Sequence, residues 1–390
     1  MAKAKISRIE RLEHYLVKII QQPGSDKGQP WPIRALLAAL FAFSCLFRIV
    51  VAVRYWLYDL GILRRFPLGC QVISVGNVTA GGTGKTPVTE KFARELTAAG
   101  RKVAILSRGY RRKEAPWWTR MFTQVFDPPL VVSDGRHVLL DSEVGGDEPY
   151  MLASNLPGVV VVVDRNRVKA GRWAIRRYGC DTLILDDGFQ YQRLKHSLEV
   201  VLVDKTNPFG NGNMLPRGVL REPVKHIARA DVIFLTKSDG DSAGVIEQIR
   251  RYNSKAEIIE CRHAPRRLTN VWSREELPLE WLKGKTLATL SAIAVPQGFE
   301  DSLRRLGAKV IWCARYADHH RYATSEIISA INRASDLGAT ALITTEKDAV
   351  RFPRLESTAV PCYYLRVDIE IIAGAENFAA AVSRICNLSR

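Results

Sequence analysis

Val72-Ile73-Ser74-Val75-Gly76-Asn77-Val78-Thr79-Ala80-Gly81-Gly82-Thr83-Gly84-Lys85-Thr86-Pro87 decides the fold of this chain. An apolar, β-branched run comes first, and the glycine-rich turn Gly81-Gly82-Thr83-Gly84 follows. Lys85 and Thr86 come next, and Phe92, Ala93 and Leu96 then recur at helical spacing. Strand, glycine turn, Lys-Thr and helix make a P-loop. Glycines let backbone N–H groups turn inward around a phosphate, and the N-terminus of the next helix adds partial positive charge. Lys85 suits the β- and γ-phosphates of ATP, and the Thr86 hydroxyl suits Mg²⁺. Thr79 stands where the motif usually has its first glycine. The loop identifies a nucleoside triphosphate and leaves open what is done with it.

At 390 residues the chain can hold two domains and an appendage. Its net charge of +17 asks for an anionic partner: nucleic acid, an acidic lipid surface or a phosphorylated substrate. Its cysteines (Cys45, Cys70, Cys180, Cys261, Cys313, Cys362, Cys386) are scattered, which argues against a zinc site and a disulfide framework.

Working outward, Met1 to Pro30 is basic and polar, with an amphipathic run from Ile6 to Ile20. Ala35 to Val53 is nearly long enough to span a bilayer and has Arg48 as its one charge. Trp31, Tyr55, Trp56 and Tyr58 flank it as interfacial aromatics would. Residues 1–65 are therefore expected to anchor the protein, either as a span or as a helix lying in the interface; the alternative, which Arg48 also suits, is a buried core helix. A spanning helix would leave the following domain on the cytoplasmic side, because Arg54, Arg64 and Arg65 follow it.

From Gln71 to Tyr252, apolar runs without alternation are separated by helical stretches. That pattern predicts a parallel sheet covered on both faces, in a core domain spanning 66–253. Sites in such sheets lie at the carboxyl ends of strands. Glu114 to Val144 interrupts the alternation with Trp117, Trp118, Met121, Phe122 and Phe126, then a hairpin turn at Ser133-Asp134-Gly135-Arg136. After about Ser254 a second α/β pattern predicts a smaller lobe, 254–390. The fold class is α/β: a P-loop NTPase-type parallel sheet core, a smaller α/β lobe and an N-terminal membrane-associated helix.

Several strand ends carry chemistry. Leu183-Ile184-Leu185-Asp186-Asp187 is an apolar strand ending in paired carboxylates, where a P-loop protein engages Mg²⁺, and Gly188-Phe189-Gln190 follows. Gly145-Gly146-Asp147-Glu148-Pro149 puts two acids on a glycine hinge, suited to capping a helix or to serving as base and metal ligand. Arg108 in Ser107-Arg108-Gly109-Tyr110 and Arg165 in Asp164-Arg165-Asn166-Arg167 are placed to neutralise phosphate. Asn207 to Pro223 is a long loop dense in Gly, Pro and Asn. In Asp318-His319-His320 one histidine oriented by a carboxylate suits proton transfer. Thr344-Thr345-Glu346-Lys347-Asp348 ends a strand of the second lobe and is placed to face the same cleft.

In combination these motifs resemble the tetraacyldisaccharide 4'-kinase family of lipid A biosynthesis. The resemblance is carried by SVGNVTAGGTGKTP at 74–87, SRGY at 107–110, GGDEP at 145–149, LDDGFQ at 185–190, GNGNMLPRGVLREP at 210–223, DHH at 318–320 and TTEKDAV at 344–350. The family also lacks the first Walker glycine. It usually has histidine after DDGFQ, where this chain has Tyr191, a residue that does not titrate near neutrality.

The resemblance implies transfer of the ATP γ-phosphoryl to the 4'-hydroxyl of a membrane-embedded tetraacyldisaccharide 1-phosphate, on the cytoplasmic face of the inner membrane. It implies that Gly81, Gly82, Thr83, Gly84, Lys85 and Thr86 bind ATP. It implies that Thr86, Glu148, Asp186 and Asp187 support Mg²⁺, and that Asp147 with His319, beside Lys85, is catalytic. Arg108, Arg165, Gln190 and Asn211 would hold the lipid headgroup. The implied partners are the lipid A disaccharide precursor and the inner-membrane surface, not nucleic acid.

A membrane-bound nucleotide switch is the competing class. Some such ATPases carry a lysine before the glycines, where this chain has Ala80.

Overall fold

A computed structural model describes residues 29–109, 128–318 and 320–387. The amphipathic run from Ile6 to Ile20, the aromatics from Trp117 to Phe126 and His319 lie outside the described residues. In chain order the elements begin with α1 (Trp31–Asp59), β1 (Gln71–Asn77), α2 (Lys85–Ala98), β2 (Val103–Ser107) and β3 (Leu130–Asp134). Next come α3 (Ser142–Gly145), α4 (Asp147–Asn155), β4 (Val160–Val163), α5 (Arg167–Tyr178), β5 (Thr182–Asp186), β6 (Leu198–Asp204) and β7 (Val232–Thr236). Then follow α6 (Ala243–Arg250), β8 (Glu257–Asn270), β9 (Glu276–Pro278), β10 (Thr286–Ser291), α7 (Pro296–Arg305) and β11 (Lys309–Arg315). The chain closes with α8 (Thr324–Asp336), β12 (Ala341–Thr345), α9 (Glu346–Ala349), β13 (Cys362–Ala373) and α10 (Ala375–Asn387).

Two compact units form. Among the described residues, the first is drawn from the ranges Met1–Lys85, Ile184–Arg262 and Ile371–Arg390, and the second from Thr86–Leu183 and His263–Glu370.

In the first unit β1, β6, β7 and β8 pair in parallel, with Val75 opposite Val200, Leu202 opposite Phe234 and Phe234 opposite Ile259. Ile73, Val75, Val200, Val201 and Ile233 are all buried, so neighbouring positions on both faces are covered and the strands show no alternation. Helix α1 joins this core through Val51, with Phe47 and Tyr55 packed beside it.

In the second unit β2 and β4 pair in parallel, and β3 runs antiparallel to β4. There β11, β10, β12 and β13 form a parallel run in that order, with Leu290 opposite Thr344 and Thr344 opposite Tyr364. Helix α8 buries Ile327, Ala330, Ile331 and Ala334, the stripe expected of an amphipathic helix lying on a sheet.

Two local features bear on the sequence reading, one in agreement and one in difference. The turn at 133–136 is present: Asp134 accepts from the backbone N–H groups of Arg136 and His137, and Leu139 N–H returns to the Val132 carbonyl. Ser133 also bridges Val138 in antiparallel fashion, so the expected β-hairpin forms, and β3 pairs in addition with β4. Strand β8 continues through Arg262, His263, Arg266 and Arg267, and its middle is exposed. Such a strand has no apolar run to betray it.

Candidate active site

The phosphate loop is organised by a residue that carries no charge. Asn77 ends β1 fully buried. Its Nδ2 donates to Thr83 Oγ1 at 3.0 Å, and its Oδ1 accepts from Lys85 Nζ at 3.4 Å and from Arg221 Nη1 at 3.3 Å. Its backbone carbonyl accepts from Gln190 Nε2 at 2.9 Å. Thr83 is thereby pinned inside the loop, while a Cβ at Gly81 or Gly82 would meet nothing within 4 Å. The loop backbone therefore stands open where a phosphate would be cradled, and α2 begins at Lys85. On the other side, Ala80 N–H donates to the Val219 carbonyl and Arg221 N–H to the Val78 carbonyl, so the long loop from 207 to 223 braces the phosphate loop.

The paired carboxylates follow at the end of β5. Asp186 is buried, and Asp187 takes a left-handed φ of 57°. The turn that follows presses onto β1: a Cβ on Gly188 would lie 3.0 Å from Ser74 Oγ and 2.5 Å from Leu185 Cβ in its own strand, and one on Gly76 would lie 2.6 Å from Phe189 Cβ. Only glycine permits this approach at either position. Arg221 grips Asp187 through both carboxylate oxygens, at 2.8 and 3.0 Å, and Lys85 Nζ stands 3.7 Å from Asp187. Asn211 is used within its own loop, donating to the Arg217 carbonyl and accepting from Asn213 N–H.

The second acidic cluster belongs to the second unit. Gly146 (φ 93°) turns the chain into α4, whose first residues are Asp147 and Glu148. Asp147 Oδ2 accepts from Arg351 Nε at 2.9 Å, and its Oδ1 lies 3.7 Å from Arg321. Glu148 faces Lys347 at 3.5 Å. Arg351 also meets Asp348, whose carboxyl is pushed up by burial. Arg108 and Arg165 are exposed beyond the ends of β2 and β4. His320 shares a hydrogen bond of 2.9 Å with Glu326 and stacks on Tyr316. That bond, with one from Ala323 N–H, holds the Glu326 carboxyl below its usual range.

Sequence reasoning missed Asn77, Arg221 and Arg351. Each lies in or next to a quoted motif, but none has a spacing that announces its partner.

Residues 36–387 match the family described as tetraacyldisaccharide-1-P 4'-kinase. A tetraacyldisaccharide 4'-kinase of Anaeromyxobacter dehalogenans (strain 2CP-C) is 40% identical over 363 residues, 92% of this chain and 93% of that protein. One from Syntrophus aciditrophicus is 36% identical over 366 residues, covering 91% and 93%. The crystal structure of LpxK from Aquifex aeolicus in complex with ATP matches with a TM-score of 0.71 at 30% identity, covering 90% of this chain and 99% of its own.

Proposed function

The chain belongs to the tetraacyldisaccharide 4'-kinase family and is an ATP-dependent kinase of lipid A biosynthesis, and on that premise we propose how its own residues carry out the transfer. The observation that carries the reading is the open glycine backbone held beneath Lys85 by Asn77. Phosphoryl transfer needs little covalent chemistry from a protein and is mainly positioning and charge neutralisation. In our reading Gly81 to Gly84 cradle the ATP phosphates, and Lys85 neutralises charge that develops during transfer. Asp147, with His319, takes the proton of the 4'-hydroxyl. Arg108 and Arg165 meet the anionic headgroup of the disaccharide 1-phosphate, with Gln190 and Asn211 shaping the loops around it.

The donors offered to a metal are hard oxygens, and among the described residues no group of three or more His, Cys, Asp or Glu forms a cage. That fits Mg²⁺, which keeps several waters and is bound by one or two carboxylates together with nucleotide phosphates. Thr86, Glu148, Asp186 and Asp187 are the residues that would hold it; Asp187 also meets Arg221, and Glu148 also faces Lys347. Bound there, Mg²⁺ would supply charge neutralisation on the β- and γ-phosphates.

Helix α1 is long and apolar enough to cross a membrane. We propose instead that it lies in the plane of the cytoplasmic interface of the inner membrane. Its buried positions are Leu37, Ser44, Val51 and Tyr58, one face repeated at every seventh residue. Along that face Ser44 Oγ donates to the Met214 carbonyl, Arg54 to the Gln190 carbonyl and Tyr55 to Glu222. From Leu37 to Tyr58 the helix runs about 30 Å. If it spanned the bilayer, the irregular backbone around Met214 and Gln190 would enter hydrocarbon, where unpaired peptide groups are excluded. The opposite face presents Phe43, Leu46, Val50 and Val53 to the outside, with Arg48 exposed and able to snorkel.

Asp147→Asn tests the proposed chemistry. We expect ATP binding to persist while turnover falls by about 10²- to 10⁴-fold; unchanged turnover removes Asp147 from the proton transfer.

A further inference from the structure

The segment from Thr344 to Arg351 has no place in the chemistry above, yet it runs along the element that carries the acids. Ser142 Oγ donates to the Val350 carbonyl at 2.8 Å, and Asn155 Nδ2 donates to Glu346 at 2.6 Å. Lys347 faces Glu148 at 3.5 Å, and Arg351 Nε donates to Asp147 Oδ2 at 2.9 Å. Helix α4 is thus held at its first two residues and its last.

Arg351 is the innermost of these contacts. Its side chain is 1% exposed, and it stands between two carboxylates: Asp147 on one side and Asp348, at 3.3 Å, on the other. Asp348 is fully buried and fixed in turn. It accepts from Ala292 N–H just beyond β10 at 3.1 Å and from Thr345 Oγ1 at 2.6 Å. A continuous polar chain therefore runs from the end of β10 through Asp348 and Arg351 to one oxygen of Asp147.

Stability alone does not explain this arrangement. Taking an arginine and two carboxylates out of water costs several kcal/mol per ion, and apolar side chains of similar volume often stabilise a core as well or better. What the pairing supplies is direction. A guanidinium is planar and rigid, so a carboxylate hydrogen-bonded to it is held in rotation as well as position.

We propose that Arg351 is the positioning residue for Asp147, aiming its carboxylate by tying it through Asp348 to the end of β10. This makes the Thr344–Arg351 segment a brace for the acid pair. The inference rests on the reading of Asp147 as the acceptor of the hydroxyl proton.

The test compares Arg351→Gln, Arg351→Lys, Asp147→Asn and the double variant Asp147→Asn/Arg351→Gln in the full chain, with tetraacyldisaccharide 1-phosphate in micelles. We expect kcat of Arg351→Gln to fall by about 10- to 100-fold, the scale of a misplaced reacting group. The KM for ATP stays within about twofold, since the phosphate loop is untouched, and Arg351→Lys recovers part of the loss. The double variant should be no slower than Asp147→Asn alone, because a residue that acts through Asp147 has nothing left to act on. A folded Arg351→Gln protein with wild-type kcat overturns the inference, as does a loss that adds in full to that of Asp147→Asn. If Arg351→Gln fails to fold, Arg351→Lys decides: wild-type kcat with lysine overturns the aiming role. If Asp147→Asn itself keeps full turnover, the base reading falls, an outcome distinct from Arg351 failing alone.

Discussion

Arg221 grips Asp187 through both carboxylate oxygens while the same guanidinium reaches Asn77, the residue that also holds Lys85. Lys85 thus sits in a network whose members come from the β1 end, the Asp-Asp turn and the long loop. Arg221→Lys keeps the charge and loses the fork. It should weaken ATP binding by about tenfold, or 1.4 kcal/mol, read by titration with a fluorescent ATP analogue. Binding equal to wild type would show that the fork does not organise the loop.

Asn77→Ala removes the acceptor for Lys85 and the donor to Thr83 without touching any residue that would meet the phosphates directly. We expect kcat/KM for ATP to drop by about 10- to 100-fold, the effect of an ångström-scale drift of the lysine that we propose acts in the transfer. The variant should also melt lower, because Thr83 Oγ1 and the second guanidinium contact lose a buried partner. Steady-state kinetics and a thermal melt check both.

The outward face of α1 makes a separate prediction. Phe43 and Val50 are more than half exposed and make no part of the buried stripe. Replacing both with glutamate should leave the melting temperature within about 2 °C, as surface changes do. It should cut binding to anionic vesicles by more than about tenfold, through lost apolar burial and added repulsion. Flotation with liposomes measures it. Depth is checked by a fluorophore on Cys45, which is exposed on this helix, in a variant lacking the other cysteines. An in-plane helix predicts quenching by shallow nitroxide lipids over deep ones.

Stability in acid should report the Glu300–Arg315 pair. Glu300 on α7 is fully buried and accepts two bonds of 2.7 Å from Arg315 on β11. These bonds hold its carboxyl below the usual range. A carboxylate depressed in the folded state stabilises above its unfolded pKa of about 4.3, and that contribution fades as pH falls through the folded value. Glu300→Gln should therefore melt a few degrees lower at neutral pH, with the gap closing below about pH 4. A gap that is constant with pH would contradict the charge-based account.

Local chemistry was legible in the sequence, and distant pairing was not. The strand–glycine–Lys-Thr–helix pattern at 72–96 declares itself because every contact that defines it is local. Asp186 and Asp187 could be placed at a strand end because the apolar run before them is continuous. Asn77 could not be distinguished from any polar strand end, since its partners include Gln190 and Arg221, far along the chain. Arg351 reaches Asp147 across 204 positions. The in-plane setting proposed for α1 was beyond composition, which reads a span and an interfacial helix alike. It rests on the seven-residue stripe and the bonds to Met214, Gln190 and Glu222. Strand β8 was hidden because its exposed middle carries charge.

The most direct test of the account is transfer of label from γ-labelled ATP to purified tetraacyldisaccharide 1-phosphate in detergent micelles, comparing wild type with Lys85→Ala. The account predicts labelled lipid from the wild type, and at least about 10²-fold less from the variant, because, as proposed, Lys85 neutralises charge that develops during transfer. ATP hydrolysis without labelled lipid in the wild type, or labelled lipid undiminished in Lys85→Ala, would contradict it.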